Sequence, residues 1–135
     1  MAKKTLQLDI VTPNSNVFSG EVESIVAPGT EGYFQLLPDH TPFLSTLQIG
    51  EIRIRKNGKE EYYATSGGFA EVHLNRVSIL AETAEAGREI DLKRADAARS
   101  RAEKLLESHE EWVDTDRARL ALFRALNRIR VKNRM

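Results

Sequence analysis

Apolar and polar residues alternate at every second position through roughly the first two-thirds of the chain, then recur at every third or fourth position. Strands are therefore predicted first and helices last. Leu6, Leu8 and Ile10 alternate with Gln7 and Asp9, and Thr12-Pro13-Asn14-Ser15-Asn16 ends that strand with turn residues. Residues 22–27 form a second short strand, closed by Pro28-Gly29, and residues 33–37 a third, closed by Pro38. Residues 49–55 and 61–65 flank Asn57-Gly58, the pair that supplies the positive φ angles of a tight hairpin. Val72, Leu74, Val77, Ile79 and Leu80 flank another turn, expected at Asn75-Arg76. Many short strands with turns between them predict a small antiparallel sandwich.

The change of period falls at Arg88-Glu89-Ile90-Asp91-Leu92-Lys93-Arg94-Ala95, which reads as a hinge. Asp91 is placed to cap a helix, since its carboxylate can accept from amides of the first turn. Beyond it Leu92, Ala95, Ala98, Ala102, Leu105 and Leu106 share one helical face, and Glu107-Ser108-His109-Glu110-Glu111 breaks the pattern. A second helix follows with Ala118, Ala121, Leu122, Ala125, Leu126 and Ile129 on its apolar face. The predicted fold is α+β: an antiparallel β-sandwich over residues 1–86 and a two-helix antiparallel hairpin over 87–135. Alanine faces bury little area, so the hairpin is expected to dock weakly.

At 135 residues the chain holds one core with a smaller appendage. It has no cysteine, and its three histidines are far apart, so neither thiolate chemistry nor a metal site is indicated. No apolar run reaches the length of a bilayer span and the N-terminus lacks the apolar stretch of a secretory signal, which predicts a chain that is cytosolic or attached to something cytosolic. Net charge is zero but unevenly spread: residues 1–90 carry 8 Lys/Arg against 12 Asp/Glu, and residues 91–135 carry 12 against 8. After Asp116 come seven basic residues and no acid, with Arg117, Arg124 and Arg128 on one helical stripe. That basic tail predicts an anionic partner, while the stripe taken alone reads equally as a solvated basic face. Nucleic acid is disfavoured, because no recognition motif accompanies the arginines.

Two local features invite an enzymatic reading and fail it. His40 lies between Pro38 and Pro42 without a nucleophile near it in sequence, so a hydrolase built around it is disfavoured. Ser66-Gly67-Gly68-Phe69-Ala70-Glu71-Val72 lacks both the Gly-x-Ser-x-Gly order and the Lys-Ser/Thr ending of a phosphate loop. Its glycines point to closely packed backbone.

The order of features resembles the epsilon subunit of bacterial F-type ATP synthases over essentially the whole chain. The resemblance rests on Leu8-Asp9-Ile10-Val11-Thr12-Pro13, Leu37-Pro38-Asp39-His40-Thr41-Pro42, Ser66 to Val72, Ile90 to Ala95, and Arg124-Ala125-Leu126-Asn127-Arg128. It implies a non-catalytic rotor subunit, with a sandwich seated on the gamma subunit and meeting the c-ring through the loop Pro38, Asp39 and His40. The complex would lie at the cytoplasmic face of the bacterial membrane. It further implies a hairpin that permits ATP hydrolysis when folded and blocks it when extended into the head, where Arg117, Arg124 and Arg128 would meet the beta subunits, with alpha subunits alongside.

Ile90, Asp91, Arg94 and Ala95 are similar to the ATP-binding motif of epsilon subunits from thermophilic bacilli, with Glu85, Arg101, Arg124 and Arg128 at supporting positions. ATP would be a regulatory ligand and no cofactor obligatory; nothing in the sequence sets a Mg²⁺ dependence. Where relatives carry two loop glycines, this chain has Gln35 and Asp39, which leaves the shape of that loop open. The competing reading is a free-standing nucleotide-sensing adaptor.

Overall fold

Leu6, Leu8 and Ile10 are fully buried while Gln7, Asp9 and Val11 between them are not, the outcome that period-two patterning dictates for a strand with one face on a core. In the computed structural model, which describes residues 4–135, that strand is the first of ten. They are β1 (Leu6–Val11), β2 (Asn16–Val22), β3 (Ser24–Gly29), β4 (Gly32–Leu36), β5 (Phe43–Leu47), β6 (Gly50–Lys56), β7 (Lys59–Thr65), β8 (Gly68–His73), β9 (Arg76–Ala81) and β10 (Ala84–Ala86). Their order is β10-β7-β6-β3-β5-β8-β9-β1-β2, with β4 pairing β3 off this path. The sheet folds over a core of aliphatic residues, Leu6, Leu8, Ile10, Ile25, Leu36, Ile52, Ile54 and Ile79 among them. Each contributes about 1.5–3 kcal/mol by burial.

Several predicted elements shift. The expected strand over 22–27 is split, because β2 ends at Val22 and β3 begins at Ser24. β2, β5 and β10 are strands that periodicity does not announce, and β8 begins before the expected residues, at Gly68. The sandwich is not wholly antiparallel: β1 runs parallel to β9, Leu8 beside Val77 and Ile10 beside Ile79. No tight turn links those two strands, so nothing local forces them to oppose. The Asn57-Gly58 turn is as predicted, with φ values of 53° and 74°. The next turn is not, since its corner residues are Leu74 and Asn75 at φ 49° and 59°, and Arg76 already belongs to β9.

Gly68 explains why the start of β8 is hard to read. Its φ is +144°, and a Cβ there would penetrate the Leu80 carbonyl oxygen and crowd Ala81 Cα. The glycines of Ser66 to Val72 thus mark close backbone approaches, Gly68 to β9 and Gly67 to Leu47 at the end of β5, as expected of closely packed backbone.

The chain divides between Ala86 and Gly87. The second unit opens with a 3₁₀ turn, Gly87–Glu89, followed by α1 (Leu92–Ser108) and α2 (Thr115–Asn133). Asp91 caps α1 as predicted, Oδ1 accepting from Arg94 N at 3.2 Å. Asp114 caps α2 in the same manner, accepting from Arg117 N at 3.1 Å. His109, at φ 53°, ends α1 in the left-handed conformation. The buried residues are Ala95 and Ala102 on α1, and Ala118, Ala125, Asn127 and Val131 on α2. Leu92, Leu105 and Leu126, expected on apolar faces, are exposed. Along α2 the partner changes. Its last turns pack on the 3₁₀ turn, where Gly87 leaves room for Val131 and Met135 and Lys132 Nζ donates to Arg88 O at 3.2 Å. Asn127, one turn before Val131, is buried with them, and Arg130 donates to its Oδ1 at 3.4 Å.

Candidate functional site

In the hairpin unit the predicted ligand residues separate by role. Ile90 and Ala95 are buried, and the Ile90 amide closes the 3₁₀ turn on Gly87 O at 3.3 Å. Both residues therefore serve packing. Asp91, Arg94, Arg101 and Arg117 are exposed, while Arg124 and Arg128 are half-buried. Among the described residues Arg94, Arg101, Arg117 and Arg124 make no ion pair, whereas Arg99 is held by Asp96 and Glu103 at 2.6 and 2.8 Å and Arg119 lies 3.6 Å from Asp116. Glu85 belongs to the other unit, on β10, where it pairs Ala64 of β7.

Helix geometry relates these four arginines and Arg128. At about 100° per residue, Arg94 and Arg101 sit roughly 100° behind the Ala95–Ala102 line, and Arg117, Arg124 and Arg128 roughly 90° behind the Ala118–Ala125 line. With the alanine lines facing one another in an antiparallel pair, equal offsets of the same sign bring both sets to one flank of the seam. The hairpin so carries guanidinium groups from both helices on one side. Guanidinium forks match phosphate oxygens in charge and geometry.

The start of α1 has a counterpart that sequence reading missed. Ile90-Asp91-x-x-Arg94-Ala95 is matched by Val113-Asp114-x-x-Arg117-Ala118 at the start of α2. In both, Asp caps, Arg donates its amide to the cap, and Ala is buried. Capping and packing alone account for the pattern, which makes Asp114 the internal control for any further role of Asp91.

In the sandwich, the loop after β4 is tied down at Asp39. Its φ of 66° is the left-handed conformation that glycine adopts freely and that Asp tolerates, so the loop accommodates the departure from glycine. The Asp39 amide donates to Asn75 Oδ1 at 2.6 Å, Asn75 Nδ2 donates to Asp39 Oδ1 at 3.1 Å, and Lys4 Nζ lies 2.7 Å from Asp39 Oδ2. The hydrogen bond from Lys4, then that from Asn75, holds the Asp39 carboxyl below its ordinary range. Because the pKa is depressed on folding, the clip is fully present above the ordinary carboxylate pKa and is lost as pH falls through the folded value. In an NMR titration, the Asn75 side-chain amide signals should move only below about pH 3.9, and should not follow that titration in Asp39→Asn.

His40 is not poised for catalysis. Its Nδ1 pairs with Thr41 O at 2.7 Å and its ring packs edge-on against Phe43. No metal-holding cluster of His, Asp and Glu exists among the described residues. A shallow polar cleft of about 390 Å³ on the sandwich is lined by Glu23, Arg53, Arg55 and Glu60, and none of the predicted site residues reaches it.

The face of β5, β8, β9 and β1 turned away from the core carries a second feature unforeseen in sequence. Register aligns Thr46, Phe69, Leu80 and Val11 across the four strands. Phe69 is 53% exposed and Leu80 56%, with Leu44 at 70% one register step away. An apolar cross-strand row in water marks a contact surface more often than scattered single residues do.

Comparison with known proteins gives a consistent answer for both units. Residues 5–87 match the family described as ATP synthase, Delta/Epsilon chain, beta-sandwich domain, and residues 88–133 its long alpha-helix domain. The chain is 46% identical over 127 residues to the ATP synthase epsilon chain of Desulforamulus reducens, covering 94% of this chain and 96% of that one. It is 50% identical over 130 residues to that of Nitratidesulfovibrio vulgaris, covering 96% and 97%. Among solved structures, a chain of the Euglena gracilis mitochondrial ATP synthase OSCP/F1/c-ring assembly superposes with TM-score 0.78 at 26% identity, over 90% of this chain and 79% of that one. A chain of the Tetrahymena thermophila mitochondrial central stalk/c-ring shares the fold, with TM-score 0.56 at 17% identity over 99% and 98%. The chain thus belongs to the ATP synthase delta/epsilon chain family, whose epsilon chains are non-catalytic subunits of that enzyme.

Proposed function

We propose that this chain is a central-stalk subunit of an ATP synthase, coupling the head to the c-ring, and that its hairpin restrains ATP hydrolysis unless ATP holds it closed. The stalk role is supported by the cross-strand row Val11, Leu80 and Phe69, ending at Thr46 with Leu44 beside it, which seats the sandwich on the gamma subunit. A free-standing nucleotide sensor has no use for such a row. The Pro38–Asp39–His40 loop faces the c-ring, and the complex lies peripherally on the cytoplasmic side of the membrane. No helix of the described residues is long and apolar enough to cross a bilayer.

The observation that carries the regulatory role is the convergence of Arg94 and Arg101 with Arg124 and Arg128 on one flank of the alanine seam. A triphosphate bridging both helices finds its partners together only when the hairpin is closed, so binding favours closure by RT ln(1 + [L]/Kd). The second oxygen of Asp91, left over from capping, accepts from the nucleotide's hydroxyl or amine. In the extended state the same arginines, with Arg117, meet acidic segments of the beta subunits, a gain that salt screens.

Calorimetric titration with ATP tests the reading. Arg94→Ala should weaken binding by about tenfold to a hundredfold, the worth of a charge-assisted hydrogen bond. Asp91→Ala should weaken it also, and Asp114→Ala, which removes an equivalent cap, should not. Equal losses in Asp91→Ala and Asp114→Ala would reduce the motif to capping.

A further inference from the structure

Leu74 is the most exposed large apolar residue among those described, at 83%. It occupies the first corner of the β8–β9 turn at φ 49°, where Asn or Gly is favoured and a branched side chain is strained. The turn therefore retains a residue that suits neither its backbone nor the solvent around it. Strain kept at an exposed position points outward, to something that the side chain touches.

Its neighbour shows what that is. Asn75 is joined by two side-chain hydrogen bonds to Asp39, and its carbonyl accepts from Gln7 N at 2.8 Å. The turn is thus fastened to the Pro38–Asp39–His40 loop, and both belong to one end of the sandwich. His73 and Arg76, both exposed, flank Leu74 on the two strands. A matching surface offers a small apolar notch rimmed by carboxylate or carbonyl acceptors.

We propose that the Leu74–Asn75 turn is a second arm of the ring-facing foot. Leu74 is its apolar anchor against the c-ring, and Asp39 is the positioning residue that locks both arms into one rigid docking end. The inference rests on the reading that the Pro38–Asp39–His40 loop faces the c-ring. It gives the Asp39 side chain, held at a left-handed φ of 66°, a purpose: it supplies the clip.

The test is rebinding of head complexes, reconstituted with full-length wild-type or variant chain, to membranes stripped of the head but retaining the c-ring. Leu74→Asn should weaken binding by about tenfold, as loss of an interface anchor does, without lowering the thermal midpoint of the isolated chain. Asp39→Gly should weaken binding too, and Asp39→Asn, which keeps a side chain able to pair with Asn75, should restore it. His40→Ala serves as the comparator. If His40→Ala weakens binding and Leu74→Asn binds as wild type, the second arm is wrong and the foot stands. If neither weakens binding, the ring-facing reading of the loop falls with it.

Discussion

Replacing Gly68 with alanine should lower the thermal midpoint of the sandwich by about 15–25 °C, or prevent folding altogether. Two costs coincide at this position. The backbone φ of +144° lies where side chains are rarely tolerated, and the added Cβ meets backbone atoms of Leu80 and Ala81 rather than a flexible side chain. Strain and overpacking each cost about 1–3 kcal/mol, and 1 kcal/mol moves the midpoint of a unit this size by about 4–8 °C. Gly32→Ala separates the two costs. That residue has φ +127° and open space around its would-be Cβ, so only strain is felt and the shift should be less than half as large. Thermal melts followed by circular dichroism decide it. Equal small shifts would mean that the β8–β9 approach relaxes to admit a methyl group.

Leu80→Asp should leave the isolated chain as stable as wild type and yet weaken capture of the gamma subunit by at least a hundredfold. Leu80 is more than half exposed in the free chain, so a charge there is solvated at little cost. Once the row from Val11 to Thr46 is covered by a partner, the carboxylate is stripped of water without a counter-charge, and such losses at an interface centre reach about 2–4 kcal/mol. Co-purification of gamma with wild-type and variant chains measures it. Undiminished capture would make the row ordinary surface.

How far these features were legible in sequence depended on whether their cause was local. Asn57-Gly58 announced its turn because the residues suit the backbone they adopt. Leu74 hid the next turn because it does not suit it: an apolar residue at positive φ reads as strand. Asp91 was legible as a cap, while Asp114, doing the same work, was passed over amid the acidic run before α2. The arginine stripe followed from helical spacing alone. Its meeting with Arg94 and Arg101 on one flank depended on which alanines are buried, and that pattern changes along α2 where Asn127 and Val131 turn to the 3₁₀ segment. Phe69 and Leu80 lie far enough apart in sequence that only strand register reveals them as neighbours.

The parallel contact between β1 and β9 sets the order in which the chain acquires its structure as it is made. β1 is translated well before β9, one of its two neighbours, so nearly the whole unit must emerge before that edge is covered. Until then the nascent β1–β2 ribbon presents an open, aliphatic-faced edge to whatever is near, a state in which chaperones or stray pairing compete. The two helices, translated after the sandwich, depend on contacts that are close in sequence and form fastest. The slowest closure in the molecule is thus the one that begins first, and slowing translation between β2 and β9 should raise the yield of aggregate while leaving the hairpin untouched.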